Sequence, residues 1–163
     1  MYDRASLKIS VQEVNQMVHD KDPRYPRGSE WRQWDLHVHT PASFHWQGKR
    51  FKGDPTSQEN IALVDEMIHA LNKAKPAVFA LMDYWTFDGW FALQARLGQP
   101  GAPKLTKTVF PGIELRIAAP RGRLNAHAIF SDKVSDQILI DFKSSLKMEI
   151  TDNCLSNSAL GSV

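Results

Sequence analysis

The sequence has little of what marks several large classes of protein. A single cysteine, Cys154, excludes an internal disulfide and agrees with a cytoplasmic setting. The longest apolar run, residues 76–82, falls far short of the ~18 residues that span a bilayer, and no apolar signal core follows the N-terminus. The net charge of +2 is too small to indicate a nucleic-acid partner by itself. We therefore expect a cytoplasmic protein without a membrane partner.

Several well-known enzyme motifs are missing as well. There is no Gly-rich phosphate loop, no G-x-S-x-G elbow and no C-x-x-C pair, which excludes these routes to nucleotide binding, acyl transfer and thiol chemistry. The 163 residues, of which 42% are hydrophobic and 23% charged, are typical of a globular protein with one core. Histidines and carboxylates are left as the residues that could carry chemistry.

Helix and strand signals alternate along the chain. Strands are predicted at residues 34–38, 77–82, 106–110 and 124–130, with a further alternating segment at 113–117. Helices are predicted after capping-box patterns at Ser10 and Thr56, near residues 87–97, and after Asp132, the last with Val134, Ile138, Phe142 and Leu146 on one face. We divide the chain into an N-terminal helix and linker (1–28), one domain (29–150) and a disordered tail (151–163). The alternation predicts an α/β fold with a sheet that is at least partly parallel.

Polar side chains are predicted at the C-terminal ends of these strands, where α/β proteins place active sites. His37 and His39 lie two apart on the first strand, so both imidazoles face one side and could ligate one cation or a close pair. Asp35 has the same parity and could orient an imidazole. The alternative is that core hydrogen bonds or solvent satisfy both histidines. His45, in the following loop, is either a further ligand or a solvated side chain.

Two carboxylates accompany the later predicted strands. Asp83 comes directly after an apolar run, where a carboxylate is costly unless it is paired, binds metal or caps the next helix. Further along, strict alternation places Glu114 and Arg116 on the face away from the core. If the next turn centres on residues 121–122, His127 lies opposite or diagonal to Glu114, within reach of a shared metal. A surface ion pair is the alternative.

Four segments in this order resemble the motifs of the PHP (polymerase and histidinol phosphatase) family. They are Asp35-Leu36-His37-Val38-His39-Thr40, which resembles the H-x-H-[ST] strand; residues 80–89, which resemble the T-D-H motif; Phe110-Pro111-Gly112-Ile113-Glu114, which resembles G-x-E; and residues 125–129, which resemble H-x-L. The resemblance covers residues 34–130. Residues 29–37 also resemble the start of large bacterial proteins that join a PHP domain to an AAA-like or SMC-like ATPase.

The resemblance implies part of a distorted (β/α)7 barrel and up to three divalent metals, often zinc, manganese or iron. It implies the metal ligands His37, His39, Glu114 and His127, with His45 and Asp83 as further candidates. The implied activity is metal-dependent hydrolysis of phosphate esters on small molecules, nucleotides or nucleic-acid ends. Independently of the resemblance, Arg116, Arg121 and Arg123 could hold a phosphate, although a solvated turn is the alternative for the last two. Arg116 is expected to clamp it, and Asp83 is a further catalytic candidate.

Two departures from the family pattern keep a second interpretation open. The histidine of the second motif is Tyr84 here, a poor metal ligand at neutral pH. The late motifs, including the final D-x-H, are absent, so the chain is expected to be a fragment of a barrel. The alternative function is a catalytically inactive PHP remnant that serves as a structural or regulatory module of an ATPase-linked protein. A nucleic-acid-binding domain, indicated only by scattered Arg and Trp residues, is a third interpretation.

Overall fold

The computed structural model describes residues 31–120 and 122–147. The chain divides into two units, Met1–Trp31 and Arg32–Val163, and the described helices and strands belong to the second. The helix predicted after Ser10, the linker to residue 28 and the tail from residue 151 lie outside the described residues. Within the described part, no helix combines the length and the apolar character that a membrane crossing requires.

The fold is mixed α/β, as the alternating signals predict. A curled sheet holds the strands β1 (Trp34–Val38), β2 (Val78–Tyr84), β3 (Thr108–Ala119) and β4 (Gly122–Ile129) in that spatial order. The helices are α1 (Ile61–Lys73), preceded by a short 3-10 helix at Gln58–Asn60, α2 (Asp88–Leu97) and α3 (Asp136–Ser145). The first three strands run parallel and β4 returns antiparallel beside β3. Because parallel neighbours need a crossover, α1 carries the chain from β1 to β2, and α2 carries it from β2 to β3.

The core lies between the sheet and the helices. The apolar stripe predicted on α1 is confirmed at its centre, since Val64, Ile68 and Leu71 are buried. They join one cluster with buried residues of the other elements, among them Phe79, Leu81, Phe87, Trp90, Leu93, Val109, Ile113 and Leu139. Each such side chain contributes ~1.5–3 kcal/mol when it is buried. Odd-numbered residues of β2, and of β3 as far as Leu115, face the helices, and the even-numbered residues there face the other way.

The strand predictions hold better at strand starts than at strand ends. β1 has the predicted bounds, but β2 runs two residues further than predicted, through Asp83 to Tyr84. β3 is continuous through Pro111, where the sequence predicts two separate segments. The carbonyl of Pro111 accepts the N–H of Phe130 at 2.9 Å, just past the last β4 residue. The proline nitrogen faces the same side as this carbonyl, so Pro111 forgoes only the return bond to Phe130, at the very end of the β3–β4 ladder.

The two central helices form where they are predicted, but the capping box does not. The hydroxyl of Thr56 donates to the Asp54 carboxylate at 2.7 Å, and α1 begins only at Ile61. Asn60 fixes the entry to α1 instead, because its amide group donates to the carbonyl oxygens of Lys52 and Asp54 at 3.0 and 2.8 Å. The helix predicted near residues 87–97 is confirmed as α2.

The last helix begins later than predicted; Val134, Phe142 and Leu146 pack against the core as predicted, but Ile138 does not. Ser135, not Asp132, occupies the N-cap position of α3. Leu139 is fully buried, whereas Ile138, which was assigned to the apolar face, is 54% exposed. Successive helical residues are about 100° apart, so the two side chains cannot share one narrow stripe.

Candidate metal centre

Glu114 is the buried carboxylate around which the site is built. It lies on β3 opposite Tyr84, the last residue of β2, on the face turned away from the helices. Its side chain is only 2% exposed, and an ionised group this deeply buried is costly unless charged or hydrogen-bonding partners surround it. The sequence places Glu114 at a strand end, whereas β3 continues to Ala119. It still reaches the C-terminal edge of the parallel sheet, because β2 ends beside it.

Two imidazoles converge on this carboxylate from the two edge strands. On β1, His37 places its Nε2 2.9 Å from Glu114 Oε2, and on β4 His127 places its Nε2 3.9 Å from Oε1. The predicted position of His127 opposite Glu114 is confirmed by the β3–β4 register. In a flat sheet β1 and β4 would lie about 14 Å apart, three strand spacings of about 4.8 Å. The ring centroids of His37 and His127 are nevertheless 4.5 Å apart, because the sheet curls around Glu114.

These three residues form a compact group of possible metal ligands. One ligand atom from each of His37, Glu114 and His127 lies within 4.8 Å of both others. We refer to them as the His–Glu–His group. Sequence reasoning predicted all three as ligands, and the structure brings them together although they come from three different strands.

His39 lies beside this group. Its Nε2 is 3.8 Å from Glu114 Oε2, and its Nδ1 is 3.3 Å from the hydroxyl oxygen of Ser43. Burial lowers the pKa of His39 and the charge of His37 lowers it further, while Glu114 and the Met82 carbonyl partly oppose both effects. The ring is therefore neutral at neutral pH, which is the form of histidine that binds metal.

Glu114 is ionised in spite of its burial. Burial raises its pKa, but hydrogen bonds from Tyr84 and His37 and the charges of His37 and His127 outweigh that effect, so the pKa lies below its ordinary value. The site thus places a buried anion among three imidazoles. A divalent cation would complete this balance of charge.

The donor set fits a divalent transition metal. Ligand atoms lie ~2.0–2.2 Å from a bound zinc ion, so two of them are at most ~4.4 Å apart. The His–Glu–His group needs only small side-chain shifts to meet that limit. Imidazole suits zinc and iron, and carboxylate also suits manganese. Zinc usually has four ligands, so a metal held by these three residues would keep a position for a further ligand or for water.

No family model matches this chain, and no curated protein matches it. The chemistry of the site therefore rests on its own residues.

An aromatic patch of Phe44, His45, Tyr84 and Trp85 borders the group. Tyr84 stacks on His39, with ring centroids 5.3 Å apart and planes 15° from parallel. His45 meets Tyr84 edge-on at 5.0 Å, and Phe44 stacks on Trp85 at 5.3 Å. His45 is thus next to the His–Glu–His group without being part of it. Its role as a further ligand stays a prediction.

Arg116 and Asp35 lie at the rim of the site. Arg116 is exposed on the same face as Glu114, and its guanidinium carbon is 5.3 Å from the centroid of the Tyr84 ring. It is therefore placed to meet an anion that approaches the group. Asp35 accepts the backbone N–H of His37 at 3.2 Å. It holds the backbone of β1 in this way and does not orient an imidazole as predicted.

Asp83 lies on the opposite face of the sheet from the group. It pairs with Ile113, whose side chain is in the core, so Asp83 points towards the helices. Its Oδ1 accepts the N–H of Thr40 at 2.7 Å, and its Oδ2 accepts the Thr40 hydroxyl at 2.6 Å. Burial raises the pKa of Asp83 to about 6, against the lowering effect of these hydrogen bonds. The register therefore argues against the metal-binding and catalytic roles predicted for this residue.

Sequence reasoning gave no role to Thr40, Ser43 and Gly89. These residues contact Asp83 or His39 next to the site. The side chains of Thr40 and Ser43 are fully buried although both are polar. The one signal that could have found Thr40 is its place in the H-x-H-[ST] motif, directly after the ligand pair. Ser43 and Gly89 carry no such signal, because their importance depends on contacts between distant segments.

Proposed function

We propose that this chain is a PHP-type metal-dependent phosphoesterase domain that hydrolyses phosphate esters, with the His–Glu–His group as its metal centre. The observation that carries the proposal is the convergence of His37 and His127 on the buried carboxylate of Glu114. The imidazole and carboxylate donors of the group suit a bound zinc, manganese or iron ion.

The fold supports the PHP assignment without requiring it. Three parallel strands joined by two helices in a curled sheet are what part of a (β/α)7 barrel would contain, although β4 returns antiparallel. The candidate ligands gather at the C-terminal edge, where barrel enzymes carry their active sites. The order of the four resembling motifs along the chain adds to this support.

Different residues of the site would bind the metal and the phosphate ester. A bound divalent metal supplies charge neutralisation and lowers the pKa of water. His37, Glu114 and His127 hold the metal, with His39 and His45 nearby as further candidate ligands. Arg116 contributes two parallel N–H donors that match phosphate oxygens. The substrate class is a phosphorylated small molecule, a nucleotide or a nucleic-acid end.

A specific observation favours the second candidate function, an inactive PHP remnant that acts as a structural or regulatory module beside an ATPase. Tyr84 occupies the place of the histidine in the second PHP motif. Its hydroxyl lowers the pKa of Glu114 through a hydrogen bond, and its ring stacks on His39. Tyrosine is a poor metal ligand at neutral pH, so a site with one metal and no activity is a consistent outcome.

Metal content and activity of the purified chain separate these functions. Elemental mass spectrometry should find about one equivalent of metal in the wild type and none in His37→Ala/His127→Ala. The matched control is His69→Ala, which removes an exposed histidine of α1. Hydrolysis of p-nitrophenyl phosphate, a nucleotide and a 5′-phosphorylated oligonucleotide should follow the metal. Metal without hydrolysis would favour the remnant, and absence of metal would overturn both the centre and the phosphoesterase.

A further inference from the structure

Asp83 joins segments that reach the end of β1 from different parts of the chain. Its two carboxylate oxygens accept the N–H and the hydroxyl of Thr40, and the backbone N–H of Gly89 at the start of α2 bonds to the same carboxylate. A Cβ built at Gly89 would collide with Thr40 Oγ1 and Asp83 Oδ2. Glycine is therefore required for α2 to approach this closely.

Thr40, which is held by Asp83, also begins a tight turn over residues 40–43. The N–H of Ser43 donates to the Thr40 carbonyl at 2.9 Å, and the N–H of Ala42 donates to Thr40 Oγ1 at 3.1 Å. Thr40 and Ser43 are both fully buried, so their hydroxyls bond to protein groups and not to solvent. The turn brings Ser43 Oγ back to 3.3 Å from Nδ1 of His39.

The other nitrogen of His39 faces the candidate metal centre, with Nε2 3.8 Å from Glu114 Oε2. A neutral imidazole carries its proton on one nitrogen and a lone pair on the other. The Met82 carbonyl also accepts a hydrogen bond from this ring. If Ser43 Oγ accepts a hydrogen bond from Nδ1–H, the proton stays on Nδ1 and Nε2 is free to bind metal. Histidine ligands are commonly oriented through a partner on the second nitrogen in this way.

We infer that Asp83 is a positioning residue, which holds the turn at residues 40–43 and through Ser43 fixes the ring and tautomer of His39 as a fourth ligand. The inference rests on the proposed metal function. Asp83 acts through Thr40 and the turn, since it faces away from the His–Glu–His group. The buried carboxylate thus shapes the site from the helix side of the sheet.

The first test is independent of metal. Long-range ¹H–¹⁵N NMR spectra of the metal-free full chain show which nitrogen of each imidazole is protonated, and His39→Gln assigns the His39 signals. We expect Nδ1–H for His39 in the wild type and in Thr40→Ser, which keeps the hydroxyl. Asp83→Asn and Thr40→Val should give mixed tautomers, and Thr40→Val serves alone if Asp83→Asn does not fold. Unchanged Nδ1–H in the folded variants, or Nε2–H in the wild type, would overturn the inference.

The second test measures zinc affinity by competition with a chromophoric chelator. Loss of an outer partner of a ligand typically weakens metal binding by ~10–100-fold, and we expect that range for Asp83→Asn and Thr40→Val but not for Thr40→Ser. The control is Asp65→Asn, which removes the bidentate partner of Arg96 between α1 and α2, at 2.7 and 3.0 Å. It should lower stability and keep the affinity.

The two tests separate the inference from the proposed function. Equal loss of zinc affinity in Asp65→Asn and Asp83→Asn, at similar melting temperatures, would reduce Asp83 to a structural role and overturn the inference. If the wild type binds no zinc, manganese or iron, the proposed function fails, and the NMR spectra still decide whether Asp83 sets the His39 tautomer.

Discussion

His127 on β4 lies directly opposite Glu114 on β3, and their side chains approach to 3.9 Å. The position of any bound cation therefore depends on the register of this antiparallel pair. A slip of one residue would turn His127 to the other face of the sheet. The register is stabilised from that other face, where Leu115 and Ala128 pack against the core.

Glu114→Gln should abolish tight metal binding. The amide keeps the shape of the side chain but removes the negative charge that faces the two imidazoles. Because the loss of an outer-shell partner already costs ~10–100-fold in affinity, the loss of a direct carboxylate ligand should exceed that range. Calorimetric titration with zinc measures the effect, and Glu66→Gln on the exposed face of α1 is the matched control. Wild-type affinity in Glu114→Gln would remove this carboxylate from the ligand set.

Asp83 makes stability depend on pH with a definite sign. Its pKa is raised from 3.8 to about 6 in the folded chain, chiefly by burial. The unfolded chain therefore releases this proton at lower pH than the folded chain does. The stabilising contribution of the protonated form is present in full below pH 3.8 and is lost as the pH rises to about 6. The loss amounts to about 3 kcal/mol, at ~1.4 kcal/mol for each pKa unit.

Chemical denaturation of the metal-free wild type and Asp83→Asn across this pH window checks the prediction. The free energy of unfolding of the wild type, relative to that of the variant, should fall as the pH rises to about 6 and stay level above it. A relative stability that rises across the window would show that the hydrogen bonds from Thr40 outweigh burial and hold the pKa low.

The pairing of Glu114 with His127 was predictable because it follows from period two on each strand and from the position of one turn. The bounds of β1 were predictable for a similar reason, since Pro41 follows closely. Local patterns of this kind are visible in a sequence because each depends on residues that are near one another in the chain.

The face of Asp83 was not predictable from the same patterns. The apolar run of β2 ends at Met82, and the sequence does not show that Asp83 and Tyr84 continue the strand by pairing with Ile113 and Glu114. Because the strand continues through both residues, Asp83 faces the helices and Tyr84 faces the metal centre. The support from Ser43 and Gly89 depends on distant contacts in the same way, so it emerged only with the fold.

The burial of Leu139 beside the exposed Ile138 on α3 gives a direct test by two neighbouring substitutions. Leu139→Ala should lower the free energy of unfolding by ~2–5 kcal/mol, because the side chain is fully buried and leaves a cavity. Ile138→Ala should change it by no more than ~0.5 kcal/mol, since the side chain is more than half exposed. Urea denaturation of both variants measures the difference. Equal losses would show that the helix is rotated from the orientation described.

Arg116 is the residue that links the metal centre to an anionic substrate. Its guanidinium rests over the Tyr84 ring on the face that carries Glu114, and it remains exposed to the solvent from which a phosphate ester arrives. A hydrogen bond to a charged group is worth ~1.5–3 kcal/mol, so Arg116→Ala should raise the KM for a phosphate ester by about 10–100-fold. The KM of Arg116→Lys should lie between those of the wild type and Arg116→Ala, because lysine keeps the charge but lacks the planar pair of donors.

The matched control for Arg116 is Arg123→Ala. Arg123 is exposed on the same face of the β3–β4 pair, but it lies opposite Ala118, farther from Glu114 along the strands. Steady-state kinetics of the metal-loaded chain should therefore show a large effect only at Arg116. Equal effects would mean that the whole basic face attracts the substrate through its charge, and both effects would then fade at high salt because the Debye length shortens. An effect of Arg116→Ala that persists at high salt would place the phosphate in direct contact with its guanidinium.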